Sequence, residues 1–306
     1  MKTSFLLISA LFLLQVNYAQ KKVGLVLSGG GAAALAHVGV LKALEEYGVP
    51  IDYITGSSAG ALVGSLYSCG YSPEEIEQFV LSDDFLLMSR GGLRPENKLL
   101  IRASAPDAST FGFSLAKDSI LRKSIPLNVV TPTLLDFEML KVLGYTGASL
   151  DQDFNKLFVP FRCVASDVFG KNSVTFSKGN LNEAVRASMT YPLYVNPIKI
   201  DGVIYFDGGM YNNFPSDIMC KEFSPDLLIG SNVSSNMELP DERDMFGVLR
   251  SMLTTPTDYK FSCSNGIIIE PKTDIGIFQF ERAKEAIDEG YNKTVQMIDS
   301  FLIQLD

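Results

Sequence analysis

Gly56-Ser57-Ser58-Ala59-Gly60 follows the short apolar run 51–55 and opens the helix-like run 61–69. The pattern G-x-S-x-G between a strand and a helix predicts a nucleophile elbow. Gly56 and Gly60 allow a sharp turn that lifts the Ser58 hydroxyl out at the top of a sheet. The following helix begins with free N–H groups, starting at Ala59, and with the positive end of its dipole. This stretch therefore predicts a strand–turn–helix unit with a nucleophilic serine.

A second glycine-rich turn lies upstream, at Gly29-Gly30-Gly31. The apolar segment 22–27 before it contains two β-branched valines and predicts a buried strand. A helix is predicted over 32–47, because apolar residues recur there at i, i+4, i+8 and i+11. Two consecutive strand–turn–helix units predict an α/β fold with a mostly parallel central sheet and two helix N-termini at the same sheet edge.

The glycine turn supports two interpretations. The stretch 29–34 fits G-x-G-x-x-[GA], the dinucleotide-binding pattern of some oxidoreductases. That pattern needs an acidic residue at the end of the second strand, but Asp52 lies near the start of that strand. In the other interpretation, the backbone N–H groups of Gly30 and Gly31 form an oxyanion hole, for which the absence of a side chain is an advantage.

The sequence contains one histidine, His37, which lies inside the first predicted helix and upstream of Ser58. A Ser–Asp–His triad in the chain order of α/β-hydrolases needs a late histidine. A zinc centre with several histidines is excluded as well. We expect His37 to be a packed or hydrogen-bonded scaffold residue, so a serine hydrolase here needs a carboxylate as its base.

One carboxylate is a candidate for that base. The apolar segment 203–206 predicts a strand, and it ends at Asp207-Gly208-Gly209. Taken alone, Asp-Gly after an apolar run is an ordinary hairpin signal. Together with the Ser58 turn and the triple glycine, it predicts Asp207 as the general base.

Three elements in this order resemble the patatin-like phospholipase family, whose pattern is G-G-G-x-[RK]-G, then G-x-S-x-G, then a distant D-G-[GA]. They correspond to Gly29-Gly30-Gly31, residues 56–60 and Asp207-Gly208-Gly209. The segments 36–41 and 187–192 are also similar to the family, so the resemblance covers roughly residues 22–235. It implies a three-layer α/β/α fold.

The resemblance implies a Ser–Asp dyad, with Ser58 as nucleophile and Asp207 as base, and an acyl-enzyme intermediate. Gly29, Gly30, Gly31 and Ala59 would form the oxyanion hole. Gly56, Gly60, Gly208 and Gly209 would support the two turns. The substrate would be a lipid or another acyl ester, giving a phospholipase A, lysophospholipase or esterase, and no metal or other cofactor is expected.

Two positions depart from the family pattern. The basic residue that follows the glycines in the family is Ala33 here, and the next glycine is Ala34. Loss of one contribution to the oxyanion hole costs on the order of 10²-fold in rate. The departure leaves open a second function, a weak or inactive lipid- or partner-binding protein with the same fold.

Residues 1–19 differ from the rest of the chain. Lys2 precedes a ten-residue apolar run over 5–14 and a polar stretch that ends at Ala19. This run is too short to span a bilayer of about 30 Å but is typical of a signal-peptide core. We expect a signal peptide over 1–19, a single hydrolase domain over 20–306, and a secreted or periplasmic bacterial protein.

The net charge of −9 argues against nucleic acid as a partner and against attraction to anionic membranes. Contact with a membrane surface would then depend on apolar residues around the site, and the sequence leaves the oligomeric state open. In an oxidising compartment Cys69, Cys163, Cys220 and Cys263 could pair, but the spacing selects none of the three connectivities.

The middle of the chain has little periodicity. Ser72-Pro73-Glu74-Glu75 predicts a helix start with a capping box. The part of 81–157 between the Ser58 turn and Asp207 is interpreted either as a mobile lid or as ordinary core. A closing helix is predicted over 279–305, interrupted near Gly290.

Overall fold

A central mixed sheet forms the middle layer of the protein. The computed structural model describes residues 21–92, 94, 128–236, 241, 243, 245–263 and 266–305. The strands within these ranges are β1 (Val23–Leu27), β2 (Tyr53–Ser57), β3 (Asn128–Val130), β4 (Phe161–Asp167), β5 (Asn172–Phe176), β6 (Leu193–Val195), β7 (Ile198–Ile200), β8 (Val203–Asp207), β9 (Leu227–Ser231) and β10 (Gly266–Ile269). The helices are α1 (Ala36–Glu46), α2 (Ala59–Ser68), α3 (Pro73–Val80), α4 (Asp83–Ser89), α5 (Thr133–Ser149), α6 (Leu181–Ser188), α7 (Ser216–Glu222), α8 (Met245–Leu253) and α9 (Ala283–Leu305).

The strand order is β10-β9-β1-β2-β4-β8-β7, and β5 also pairs with β4. The five strands from β10 to β4 run parallel. β8, β7 and β5 are antiparallel to their neighbours, while β3 and β6 form a separate pair. The predicted mostly parallel α/β sheet is confirmed.

Both faces of the sheet are covered, as expected when central strands are apolar throughout. Side chains of β1 alternate: Leu25 and Leu27 enter the larger core, with α1, α2 and α9, whereas Val26 enters a smaller one. Phe214, just before α7, and Met219, within α7, complete the smaller core with Leu228 of β9. Helices therefore pack on both sides of the sheet, which confirms the three-layer arrangement.

The closing helix α9 is continuous through Gly290, so the predicted interruption was wrong. A Cβ atom at Gly290 would lie 2.0 Å from the Ala36 carbonyl oxygen, and one at Gly39 would lie 1.9 Å from the Ile287 carbonyl oxygen. Glycine at both positions lets α1 and α9 pack backbone against backbone. A glycine within a helix can therefore mark a close helix crossing instead of a break.

The middle of the chain is only partly described. α3 begins with the predicted capping box: Ser72 Oγ accepts the Glu75 N–H, and Glu75 Oε2 accepts the Ser72 N–H. In the described parts of 81–157, α4 and α5 contribute Phe85 and Leu135 to the larger core. The rest of the predicted lid or core segment lies outside the described residues, as does the predicted signal peptide over 1–19. Over the ranges given above, no helix is long and apolar enough to cross a bilayer.

One disulfide joins Cys220, in α7, to Cys263, just before β10. Cys69 and Cys163 are unpaired thiols. Burial raises the pKa of the Cys69 thiol to about 12 and that of Cys163 above its ordinary range, so both stay protonated at neutral pH.

Candidate active site

The Ser58 turn joins β2 to α2 and has the strained backbone of an elbow. Ser58 has φ 52° and ψ −127°, a conformation rare for a residue with a side chain. A Cβ atom at Gly60 would lie 2.4 Å from the Ser28 carbonyl oxygen. One at Gly56 would lie 2.7 Å from the Gly60 carbonyl oxygen. The two predicted support glycines are therefore required because backbone crosses backbone at this turn.

Ser58 and Asp207, 149 residues apart in sequence, are in contact. Ser58 Oγ donates a hydrogen bond to Asp207 Oδ2 over 2.7 Å. Asp207 is the last residue of β8 and only 4% exposed, and its Oδ1 accepts the Gly209 N–H over 2.8 Å. One carboxylate oxygen thus faces the serine while the other is held by the turn.

The turn after Asp207 is a 3₁₀ turn, Gly208–Met210, that leads towards α7, so it is not a hairpin. A Cβ atom at Gly208 would lie 2.3 Å from the Val164 carbonyl oxygen, which explains the first glycine. Gly209 supplies the N–H that orients the carboxylate. A side chain at either Gly208 or Gly209 would therefore collide with neighbouring atoms.

Polar groups from distant parts of the chain hold the Asp207 backbone. Its N–H donates to the Thr190 carbonyl oxygen over 2.8 Å, and its own carbonyl oxygen accepts the Ser166 hydroxyl over 2.8 Å. Arg186, in α6 and 4% exposed, donates to Thr190 Oγ1 and to Asp136 Oδ1, each over 2.6 Å. Arg186 therefore connects α5 to the segment that positions Asp207.

In the glycine loop, one of the three predicted donors is already hydrogen-bonded and two have no acceptor among the described residues. The Gly29 N–H donates to the Asn213 carbonyl oxygen over 3.1 Å and is thereby occupied. Gly31 has φ +58°, the left-handed region that glycine tolerates. The N–H groups of Gly30 and Gly31 have no acceptor among the described residues, and both glycines line the same cavity as Ser58. The prediction that Gly29 donates to an oxyanion is therefore corrected: its N–H braces the loop.

Ala59 is the first residue of α2, so its N–H has no acceptor within the helix. It lines the cavity next to Ser58. Gly30, Gly31 and Ala59 thus line one cavity together, near the positive end of the α2 dipole.

In the dinucleotide alternative, the glycine loop would need open space for a phosphate group. That space is occupied by the backbone of Ile277. The Ile277 carbonyl oxygen accepts the Ala32 N–H over 2.9 Å and would lie 2.2 Å from a Cβ atom at Gly31. Ala33 and Ala34 are buried in the 3₁₀ turn Gly31–Leu35. A long basic side chain at Ala33, as in the family pattern, would therefore enter the core.

His37 is fully buried below the glycine loop, which confirms its prediction as a hydrogen-bonded scaffold residue. Its Nε2 lies 2.8 Å from the Ser28 carbonyl oxygen, which can only accept, so Nε2 carries the proton. Nδ1 then accepts the Ser231 hydroxyl over 2.7 Å. Burial lowers the pKa of His37 to about 4, so it is neutral at pH 7.

Ser58 and Asp207 line a cavity of about 390 Å³ with two chemically different walls. One wall is apolar and comes mainly from α4, α5 and the segment before α9: Phe85, Met88, Leu135, Phe278 and Phe280. The other carries hydroxyl and amide groups: Ser234, Ser235, Asn236, Ser251, Thr254, Thr255 and Thr257. The cavity can take a molecule with an apolar chain and a polar end.

Sequence reasoning missed three residues that hold the site. Ser188 Oγ accepts the Ser58 N–H over 2.9 Å. Arg186 braces Thr190, and Asn213 accepts the Gly29 N–H. None belongs to a recognisable catalytic pattern, and a serine or an asparagine in a loop is too common to single out without knowledge of its neighbours.

Comparison with known proteins identifies the family. The family model described as patatin-like phospholipase matches residues 25–219. The chain is 30% identical over 225 residues to the human patatin-like phospholipase domain-containing protein 6, covering 73% of this chain and 14% of the relative. It is 29% identical over 194 residues to an uncharacterized NTE family protein of Mycobacterium bovis, covering 63% of this chain and 44% of that protein.

The matched region is a fraction of the curated relatives' length, 12% for a patatin-like phospholipase domain-containing protein of Caenorhabditis elegans at 31% identity. Among solved structures, VipD of Legionella pneumophila is similar at 15% identity and a TM-score of 0.48, covering 92% of this chain and 67% of that one. The match of the family model to well over half of the chain settles the assignment. The chain belongs to the patatin-like phospholipase family.

Proposed function

We propose that this protein hydrolyses acyl esters of lipids, with Ser58 as nucleophile and Asp207 as general base. The observation that carries the proposal is the 2.7 Å hydrogen bond from Ser58 Oγ to Asp207 Oδ2 at a cavity with an apolar wall. Family membership adds support, because the curated relatives are named as phospholipases.

In the first half of the reaction, Ser58 Oγ attacks the ester carbonyl carbon and its proton moves to Asp207 Oδ2. The tetrahedral intermediate collapses, the bond to the alcohol oxygen breaks, and Asp207 returns the proton to that leaving oxygen. An acyl-enzyme on Ser58 remains. The Gly209 N–H holds the other oxygen of Asp207, so Oδ2 stays directed at the serine during the transfer.

In the second half, a water molecule attacks the acyl-enzyme and gives its proton to Asp207. The bond from the acyl carbon to Ser58 Oγ breaks, the proton returns to Ser58, and a fatty acid leaves. In both halves the negative charge on the carbonyl oxygen would be stabilised by the N–H groups of Gly30, Gly31 and Ala59. These donors belong to backbone fixed before the substrate binds, so they need no rearrangement.

Exposed apolar side chains border the same cavity and suit contact with a neutral or zwitterionic lipid surface. Phe278 lines the cavity and is 46% exposed, and Met252, 76% exposed, lies between two lining residues. Leu193, 44% exposed, directly precedes the lining residue Tyr194, and its φ of +66° is a conformation that residues with side chains rarely adopt. We expect Met252→Ser to weaken binding to phosphatidylcholine vesicles, whereas Ile303→Ser, an equally exposed position on α9, leaves binding unchanged.

The deciding experiment is fatty-acid release from phospholipid, lysophospholipid and soluble aryl ester by the parent, Ser58→Ala and Asp207→Asn. Each variant should lose at least about 10³-fold in kcat. Asp201→Asn, an exposed carboxylate in the turn between β7 and β8, is the matched control and should retain full activity. A folded parent that releases no acid from any ester would instead support the inactive binding protein to which Ala33 and Ala34 point.

We also propose export of the protein after removal of residues 1–19. The support is the apolar run over 5–14 and the Cys220–Cys263 disulfide, a bond that persists mainly in oxidising compartments. N-terminal sequencing of the protein from the periplasmic and culture fractions should read Gln20 as the first residue. An uncleaved chain confined to the cytoplasm would contradict this.

A further inference from the structure

The segment 254–263 lies along the chain that follows the Asp207 turn. The Thr255 N–H donates to the Met210 carbonyl oxygen over 2.8 Å, and the Ser216 hydroxyl donates to the Lys260 carbonyl oxygen over 2.9 Å. Phe261 packs on Phe214, with ring centroids 5.9 Å apart. Contacts at both ends and in the middle thus fasten segment 254–263 to residues 210–216.

Asn213 is the residue that this segment holds most closely. Its backbone N–H donates to Thr257 Oγ1 over 3.1 Å, and its Nδ2 donates to the Tyr259 hydroxyl over 3.0 Å. Both main-chain and side-chain positions of Asn213 are therefore fixed from segment 254–263.

Asn213 in turn lies between the two loops of the site. Its carbonyl oxygen accepts the Gly29 N–H over 3.1 Å. Its Oδ1 would be 2.3 Å from a Cβ atom at Gly29 and 2.4 Å from one at Gly209, so it fills the space that these two glycines leave. A shift of Asn213 would move the glycine loop relative to the turn that orients Asp207.

The Cys220–Cys263 disulfide closes this arrangement. Cys263 ends segment 254–263, and Cys220 lies in α7, directly after the residues that the segment contacts. Cys263 is exposed, so a soluble dithiol can reach the bond. Reduction would release one end of the segment that fixes Asn213.

We propose that Asn213 is a positioning residue for the glycine loop and the Asp207 turn, and that the Cys220–Cys263 disulfide makes this positioning, and hence turnover, sensitive to reduction. The reductant is a dithiol, whose two thiols are oxidised to a disulfide. The two electrons and two protons that it gives up convert the Cys220–Cys263 disulfide into two cysteine thiols. The kinetic part of the inference rests on the proposed function; the structural part does not.

The test compares oxidised parent, dithiothreitol-treated parent and Cys220→Ser/Cys263→Ser on a soluble aryl ester, well below the melting temperature. We expect kcat to fall on the order of 10-fold to 100-fold on reduction, because small displacements of catalytic groups have effects of this size. KM should change less. The double variant should start at the lowered kcat and not respond to dithiothreitol, whereas Cys69→Ser should respond like the parent.

Two substitutions separate positioning from general stabilisation. Asn213→Ala should lower kcat about as much as reduction does, and Tyr259→Phe, which removes one hydrogen bond to Asn213, should lower it less. Both variants keep the disulfide. A parent that is fully reduced by thiol titration yet retains its kcat would overturn the proposal.

Hydrogen exchange tests the structural part whether or not the protein hydrolyses esters. Reduction should speed amide exchange in peptides that cover 28–35 and 208–216, while peptides of β1 and β2 stay protected. Faster exchange with no ester hydrolysis in any state would reject the proposed function and keep Asn213 as the link between the loops. Unchanged exchange in both peptides would reject the link itself.

Discussion

The Ser58 turn and the Asp207 turn meet in one hydrogen bond but are held in different ways. The Ser58 turn depends on bare backbone: Gly56 and Gly60 each lie against carbonyl oxygens with no room for a methyl group. At Gly208 the Asp207 turn has no room for a side chain either, but its position depends on polar groups from β4, from α6 and from the residues just after α6. The comparison teaches that Ser58, the proposed nucleophile, is positioned mainly by close backbone packing around glycines, and Asp207, the proposed base, mainly by polar contacts from distant parts of the chain.

The largest effect should come from breaking the Ser58 turn. In Gly60→Ala the added methyl group would lie 2.4 Å from the Ser28 carbonyl oxygen and 2.7 Å from that of Leu27, and backbone cannot move aside as a side chain can. We expect a loss of more than about 4 kcal/mol in unfolding free energy, in the range reserved for such clashes. Chemical denaturation of the variant against the parent measures it.

Gly48→Ala is a control for that loss, because it adds the same methyl group at a place where nothing lies within 4 Å of it. Gly48 has a positive φ, +69°, which Gly60 does not. Gly48→Ala should lower the unfolding free energy by about 1–2 kcal/mol, which is the cost of placing a residue with a side chain in the left-handed region. Equal losses in the two variants would show that the backbone contacts at Gly60 contribute nothing of their own.

The next effect should come from the tertiary support of Asp207. Arg186→Met keeps the apolar stem but removes donors to Asp136 Oδ1, Thr190 Oγ1 and the Asn196 carbonyl oxygen. Breaking such a buried charge pair costs about 3 kcal/mol, here reduced in part because Asp136 is half exposed. We expect kcat to fall as well, because the Thr190 carbonyl oxygen accepts the Asp207 N–H.

Arg186→Lys sharpens this test. It keeps the positive charge but cannot reach three partners at once, so both the stability loss and the loss of kcat should be intermediate. If Arg186→Met lowered stability while kcat stayed at the parent value, the link from Arg186 to Asp207 would be refuted.

The local half of the site could be predicted from the sequence for the reason this comparison gives. Glycines at fixed offsets from a serine, after an apolar run, specify a turn without information from elsewhere in the chain. The same holds for the capping box at Ser72, where both partners lie within one helical turn. Both patterns can be recognised because their defining residues lie within a few positions of each other, although Gly60 itself packs against the distant Ser28 carbonyl oxygen.

The tertiary half could not be predicted. Nothing near Asn213 or Ser188 in sequence tells that one lies against Gly29 and the other against Ser58. The resemblance predicts Gly29 as an oxyanion donor, but its N–H is occupied by the Asn213 carbonyl oxygen, which comes from far along the chain and has no local signal in the sequence. The helix α5 escaped periodicity reasoning because apolar side chains such as Phe137 and Tyr145 are exposed on it.

A pH change probes the buried support of the glycine loop. His37 has a pKa of about 4 in the folded protein, below the ordinary 6.5 expected after unfolding. The unfolded chain therefore binds more protons between these values, so stability is complete above pH 6.5 and falls as the pH drops towards 4. Between pH 7.5 and pH 5 we expect a loss of about 2 kcal/mol in unfolding free energy.

Because His37 is the one histidine of the sequence, its variant isolates this effect. His37→Gln should be less stable than the parent at pH 7.5, with little further change down to pH 5. Denaturant titrations at the two pH values supply all four numbers. A parent with a flat profile over this range would mean that His37 is not held neutral by the fold.

The smallest effect tests a tertiary side-chain contact to the backbone of the Ser58 turn. Ser188→Ala removes the acceptor of the Ser58 N–H, at a residue that is fully buried. The loss should be about 1 kcal/mol, the cost of leaving a buried donor without its partner. Ser68→Ala is the control, because the buried Ser68 hydroxyl has no partner among the described residues and its removal should cost less.

If kcat falls several-fold in Ser188→Ala alone, the backbone of the Ser58 turn needs tertiary support too, and the difference between the two turns is one of degree. If kcat is unchanged in both, the strained backbone of Ser58 is fixed by its glycines without help, and the difference is one of kind.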